Sequence, residues 1–244
     1  MKDLNNTDTE IKYPALSAVI CDLDGVLTDT ETLFIRAIDH LLVEENLSPL
    51  EFEEARQLVG LDNESIWKKL NILRGLNLSM EEYTQRIDLL ARDQFEKDLA
   101  PIPGAIDFLS SVKEMEIPLG LATSADRDRA LLRLRLMDVE TMFDVIVTRN
   151  EVKVAKPDPS IYIEASRQIG VDPSLCLAVE DSRVGMQSAS SAGMYTVGVK
   201  TIWSTPDDFD SSNAVVDKLA DIDLQLLFPS KSTGADSFVA GEKK

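Results

Sequence analysis

AVICDLDGVLTDTE, Ala18 to Glu31, is the stretch on which the reading of this chain turns. Ala18–Cys21 is apolar throughout, Asp22 and Asp24 then alternate with Leu23, and Gly25 lets the chain turn sharply. A short, wholly apolar run that ends in turn residues reads as a strand covered on both faces, the habit of parallel sheets. Carboxylates two positions apart point to the same side, and here they sit at the strand's carboxyl end, the edge at which open α/β sheets bind ligands. Turn or capping aspartates are the plain alternative. A calcium loop fits less well, because its ligand ladder and glycine offset are missing and a buried strand precedes the run.

Outward from this segment, further strand patterns occur at Pro118–Ala122, Phe143–Val147, Leu175–Val179, Tyr195–Val199 and, more weakly, Ala214–Val216. Helical patterns at Ala105–Lys113, Arg127–Leu136, Ser160–Ile169 and Val184–Ala192 fill the gaps. This alternation predicts an α/β fold with a doubly wound, Rossmann-like parallel sheet. Between the first strand and Pro118 the pattern changes: Leu33–Glu44, Pro49–Leu58, Glu64–Leu73 and Met80–Phe95 are amphipathic, and no strand intervenes. A gap of that length is a small inserted α-helical domain rather than a loop. The expected division is a core of 15–30 and 100–228, a helical insertion of 31–99, and polar, disordered ends at 1–14 and 229–244. Thr28–Glu31 and Leu99–Gly104 are the expected hinges.

The formal net charge is −18, from 43 acidic and 25 basic residues. No basic footprint for nucleic acid is present. The same balance opposes an anionic substrate at long range, so a phosphate site here needs its own local cation, a metal ion or a placed lysine. No apolar run approaches a membrane span, and the polar N-terminus lacks the apolar core of a secretory signal. Cys21 and Cys176 lie in apolar runs and read as small buried hydrophobes, which fits a reducing, cytoplasmic setting. A monomer or weak oligomer, binding neither nucleic acid nor membrane, is expected.

Three more stretches carry chemistry. In IPLGLATSAD, Thr123 and Ser124 lie between a strand and a helix, as a helix N-cap, a phosphate cradle, or both. In VAKPDPSIY, Pro157 biases Lys156 toward an extended conformation. That lysine is either a surface residue beside a turn or the local cation the charge balance demands. In LCLAVEDSRVGMQSA, Glu180 and Asp181 end a strand, where Asp181 or Ser182 caps the next helix, or where the acids hold a hard, oxygen-seeking cation. No GxxxxGK[ST] loop occurs, which excludes P-loop nucleotide hydrolysis.

Together the four segments resemble motifs I to IV of the haloacid dehalogenase-like superfamily and span nearly the whole core. The helical insertion after the first motif resembles the C1 cap of its subfamily I, in the β-phosphoglucomutase-like and CbbY-like phosphatase group. The resemblance implies a phosphoric monoester hydrolase acting on a small phosphorylated metabolite. In it, Asp22 attacks phosphorus to form an aspartyl phosphate, and Asp24 serves as acid and then base. It further implies Mg²⁺ held by Asp22, the Asp24 carbonyl, Asp181 and Glu180, the last directly or through water. Thr123, the Ser124 amide and Lys156 would hold the phosphoryl oxygens. The cap would close over the leaving group, which places specificity around Glu31–Arg36 and Val59–Trp67, with Glu31, Gly60 and Asn63 as candidates.

Within that group the β-phosphoglucomutases carry a histidine where this chain has Phe34 and an arginine where it has Asn63. Hydrolysis is therefore expected rather than a mutase reaction. Haloalkanoate dehalogenases lack an acid at the position of Asp24. The sole histidine, His40, is expected at the surface or between helices. The segment STPDDFDSSNAVVDKL, Ser204 to Leu219, resembles the corresponding stretch of sugar-phosphate phosphatases. A catalytically inactive scaffold acting as a binding protein is the alternative of another class. Loss of Asp22, Asp24 or Lys156 would have favoured it, and none is lost.

Overall fold

The computed structural model describes residues 15–229; the expected disordered ends lie outside the described residues, except for Pro229. Strand β1 (Ala18–Cys21) is fully buried. Its side chains alternate between two apolar layers, Val19 and Cys21 joining one and Ala18 and Ile20 the other. That is why its sequence shows no polar alternation.

Past β1 the chain leaves the sheet for four helices: α1 (Thr30–Glu44), α2 (Phe52–Arg56), α3 (Asn63–Arg74) and α4 (Met80–Asp98). They build a separate apolar cluster in which Ile38, Leu41 and Leu42 of α1 meet Ile66 and Leu70 of α3 and Tyr83 and Ile87 of α4. Each such fully buried aliphatic side chain contributes about 1.5–3 kcal/mol, so the insertion has a core of its own. Of the stretch Pro49–Leu58, only Phe52–Arg56 is helical, opened by a capping box between Glu51 and Glu54. Helix α4 is capped reciprocally by Ser79 and Glu82 and runs three residues past the expected Phe95. His40 is exposed, with its ring nitrogen 3.5 Å from the Gln94 amide across α1 and α4.

After the return, α5 (Ala105–Glu114), β2 (Leu119–Ala122), α6 (Arg127–Leu136), β3 (Val145–Val147), α7 (Ser160–Ile169), β4 (Cys176–Glu180), α8 (Arg183–Ser191), β5 (Tyr195–Val199), β6 (Ala214–Val216) and α9 (Leu224–Leu227) complete the fold. The six strands pair in the order β3-β2-β1-β4-β5-β6, all parallel. Winding reverses at β1, so the crevice between the β1 and β4 carboxyl ends is the topological switch point at which such sheets bind ligands. Strand β3 is shorter than expected because Asp144 turns its carboxylate back to accept from the Leu119 amide at 2.8 Å. Cys21 and Cys176 are buried free thiols.

The two connections between core and insertion run side by side. Thr28 bridges Pro101, its hydroxyl donates to the Ala100 carbonyl at 3.0 Å, and the Ile102 amide donates to the Leu27 carbonyl at 2.9 Å. Among the described residues no helix is long and apolar enough to cross a membrane.

Candidate active site

Asp22 follows β1 directly, and its amide donates to the Val179 carbonyl of β4 at 3.0 Å, which fixes its backbone at the switch point. Lys156, in the loop before α7, reaches the same place. Its Nζ lies 2.7 Å from Asp22 Oδ1, 2.6 Å from Glu180 Oε1 and 3.0 Å from the Ala122 carbonyl oxygen, so all three ammonium donors are used. With a side chain 4% exposed, this is no surface lysine. Burial alone would lower its pKa, but Asp22 and Glu180 outweigh that and hold it above the ordinary lysine value. The Tyr162 ring lies 4.9 Å from Nζ, and its hydroxyl donates to Glu180 Oε1 at 2.7 Å.

Two glycines make room for the acids. Gly25 has φ +80°, and a Cβ there would lie 1.9 Å from Asp181 Oδ2; one on Gly185 would lie 2.0 Å from the Glu180 carboxyl carbon. Of the two candidate caps for α8 it is Ser182 that serves, accepting from the Gly185 amide at 3.2 Å. Asp181 is thereby left for the cluster. Asp22, Glu180 and Asp181 each offer an oxygen within 4.8 Å of the others.

Burial, with the Glu180 and Asp24 charges added and Lys156 opposing, raises the Asp22 pKa to about 7. Burial and the neighbouring Glu180, Asp22 and Glu31 push Asp181 well above the usual carboxylate range. Three acids around one ammonium leave surplus negative charge in a desolvated place. An all-oxygen donor set of that kind suits a hard divalent cation, so the residues present fit Mg²⁺. Glu180 is the most engaged of the three: Oε1 accepts from Lys156 and Tyr162, and Oε2 from the Ser182 hydroxyl and the Asp181 amide, both at 3.2 Å.

Thr123 is buried at the end of β2, beside β1, and its hydroxyl accepts from the Ala125 amide at 3.1 Å. Ser124 is exposed. Neither caps the following helix, as the sequence had suggested. Helix α6 begins only at Arg127, whose amide donates to the Asn150 side chain at 2.8 Å. A polar side chain arriving from the β3 end has taken the place of the local cap.

Asp24 faces a different way. Arg133 Nη1 lies 2.6 and 2.8 Å from its two carboxylate oxygens, and the Thr30 hydroxyl donates to Oδ1 at 2.7 Å. Asp24 opens on a cavity of about 650 Å³ whose walls include Glu31, Phe34, Gly60, Asn63 and Arg133. The three insertion candidates, Glu31, Gly60 and Asn63, thus meet in one space beside Asp24. Burial, with Asp24 and Asp29 nearby, pushes the Glu31 pKa up to about 7.

The sequence reading missed Arg133, Thr30, Tyr162 and Trp203. Arg133 hides among four arginines on α6, a helix whose Leu132 and Leu136 are about 41% and 42% exposed while the Arg133 side chain is 13% exposed. Leucines lie exposed and an arginine buried because this face of α6 borders a cavity rather than solvent. Trp203, after β5, reaches across to the insertion, stacking on Phe52 with ring centroids 5.3 Å apart and donating to the Thr32 hydroxyl at 3.3 Å.

The sequence pattern of the haloacid dehalogenase-like hydrolases matches residues 19–199. A phosphorylated carbohydrates phosphatase of Thermotoga maritima is 35% identical over 182 residues, covering 75% of this chain and 84% of that protein. A beta-phosphoglucomutase of Bacillus subtilis is 30% identical over 222 residues, with 87% and 94% covered. The crystal structure of CbbY from Rhodobacter sphaeroides in complex with phosphate superposes with a TM-score of 0.71 at 25% identity, covering 87% of this chain and 99% of that one.

Proposed function

Because the chain belongs to the haloacid dehalogenase-like hydrolase family, we propose that it hydrolyses a sugar phosphate in two displacements through an aspartyl phosphate on Asp22. It is a phosphoric monoester hydrolase acting on a small phosphorylated metabolite. The observation that carries the finer reading is the placement of Asp22. It is a nearly buried carboxylate at the switch point, with Lys156 at 2.7 Å and two further acids within 4.8 Å.

Asp22 and Asp181, with the Asp24 backbone carbonyl, would hold Mg²⁺, while Glu180 orients Lys156 and supports the site from behind. When bound, the ion supplies charge neutralisation between the attacking carboxylate and the phosphoryl oxygens. Asp22 attacks phosphorus; Lys156, Thr123 and Ser124 steady the equatorial oxygens; Asp24 protonates the departing sugar oxygen and later takes a proton from water. Residues 31–99 act as a cap over the core of 15–30 and 100–228, keeping bulk water out of the first displacement. Glu31, Gly60 and Asn63 face the leaving group. Phe34 and Asn63 line the cavity where mutases carry histidine and arginine, which favours water as the second acceptor. The setting is cytoplasmic.

A panel of phosphorylated metabolites assayed with and without Mg²⁺ tests this. Metal-dependent phosphate release, highest on one or a few sugar phosphates, is expected. Rapid conversion of β-glucose 1-phosphate to glucose 6-phosphate with a trace of the 1,6-bisphosphate would instead make the chain a mutase.

A further inference from the structure

We propose that Arg133 is the positioning residue for Asp24, and that the insertion, through Phe95, sets where Arg133 sits. The inference rests on Asp24 being the acid–base group. Arg133 comes from the core helix α6, yet its guanidinium carbon lies 5.0 Å from the ring centroid of Phe95 on α4 of the insertion. Nη1 bonds both Asp24 oxygens, and Thr30, the first residue of α1, holds Oδ1 from the hinge. The carboxylate is therefore fixed from the core side and from the hinge side at once.

It needs fixing. Asp22 and Glu31 are like-charged neighbours of Asp24, and its charge contributes to the raised pKa of each. Like charges that close repel, and the Arg133 guanidinium supplies the opposing cation at both Asp24 oxygens. Among the described residues the other ion pair from core α6 to α4, Arg129–Asp88 at 3.8 Å, is long and exposed, and exposed pairs contribute little. The Arg133 side chain, 13% exposed, makes the buried contact, and an arginine on an aromatic face is held more firmly as water is excluded. Seating of the insertion and orientation of the acid are thereby one event.

The test compares two esters that differ in how much acid help their leaving groups need. p-Nitrophenolate departs without a proton; benzyl alcohol does not. Rapid-quench measurement of Asp22 phosphorylation by Arg133→Gln should show a loss on the order of 10²-fold or more with benzyl phosphate and less than about tenfold with p-nitrophenyl phosphate. KM should change little. Arg133→Lys should recover part of the rate, and Phe95→Leu, which keeps apolar cover without the π face, should fall between wild type and Arg133→Gln. Thermal unfolding of each variant identifies those that are folded. Equal losses on both esters, an effect confined to KM, or wild-type rates in folded Arg133→Gln would each overturn the proposal. Asp22→Asn serves as the reference. Should that variant stay active, the two-displacement reading itself fails; should it be inactive while Arg133→Gln matches wild type, this inference alone fails.

Discussion

Asp22→Asn is expected to abolish phosphate-ester hydrolysis, with a fall in kcat on the order of 10⁴–10⁶, the scale seen when a covalent nucleophile is removed. The amide is the same size and can still accept from Lys156, so geometry is preserved while nucleophilicity is lost. The fold should not suffer. In the wild-type protein the Asp22 carboxylate is held in a desolvated place beside Glu180 and Asp24, with its pKa raised to about 7. A neutral side chain relieves that repulsion, so metal-free Asp22→Asn should unfold at the wild-type temperature or above at pH 8. Steady-state assay with p-nitrophenyl phosphate and a thermal melt on the same preparation check both halves.

Removal of divalent metal by chelation is the second large effect: activity lost entirely, and stability lost in a pH-dependent way. The Asp22, Asp181 and Glu31 pKa values are raised in the folded protein, so the folded state keeps protons that the unfolded chain releases. For Asp22 and Glu31 that contribution is complete below the unfolded values near 3.8 and 4.5 and is lost as pH rises through about 7, and Asp181 acts in the same direction. Metal-free protein should therefore melt lower at pH 8 than at pH 6. Mg²⁺ should restore more at pH 8, where fewer protons must be displaced. At a hundredfold excess over Kd the gain is about 2.7 kcal/mol, or roughly 5–10 °C for a chain of this size. Melts at the two pH values, with and without Mg²⁺, read this directly. A stabilisation equal at both, or larger at pH 6, would remove Asp22 and Asp181 as the binding pair.

Much of this was legible in the chain. Three wholly apolar strands ending in polar residues placed Asp22, Thr123 and Glu180–Asp181 at one edge of a sheet, because parallel strands must align their carboxyl ends. Lys156 was legible as a candidate cation from the charge balance and firmly only through the family resemblance: a lysine before a proline looks like a surface residue until the fold closes Asp22 and Glu180 around it. Arg133 and Trp203 were not legible, since each acts across the gap between core and insertion and local pattern carries no information about such contacts. The helix assigned to Pro49–Leu58 shrank to five residues because the insertion's apolar cluster accepts Leu50 and Leu58 from irregular backbone as readily as from a helix.

The most direct measurement is to look for the phosphoryl group on Asp22. Asp24→Asn retains the backbone carbonyl and the nucleophile but lacks the base for the second displacement. With p-nitrophenyl phosphate it should therefore be phosphorylated faster than it is hydrolysed. Acid quench followed by peptide mass mapping is predicted to find a phosphoryl adduct on Asp22, labile to hydroxylamine and absent without Mg²⁺. Release of p-nitrophenol with no adduct on Asp22, or with the adduct on another residue, would contradict the account.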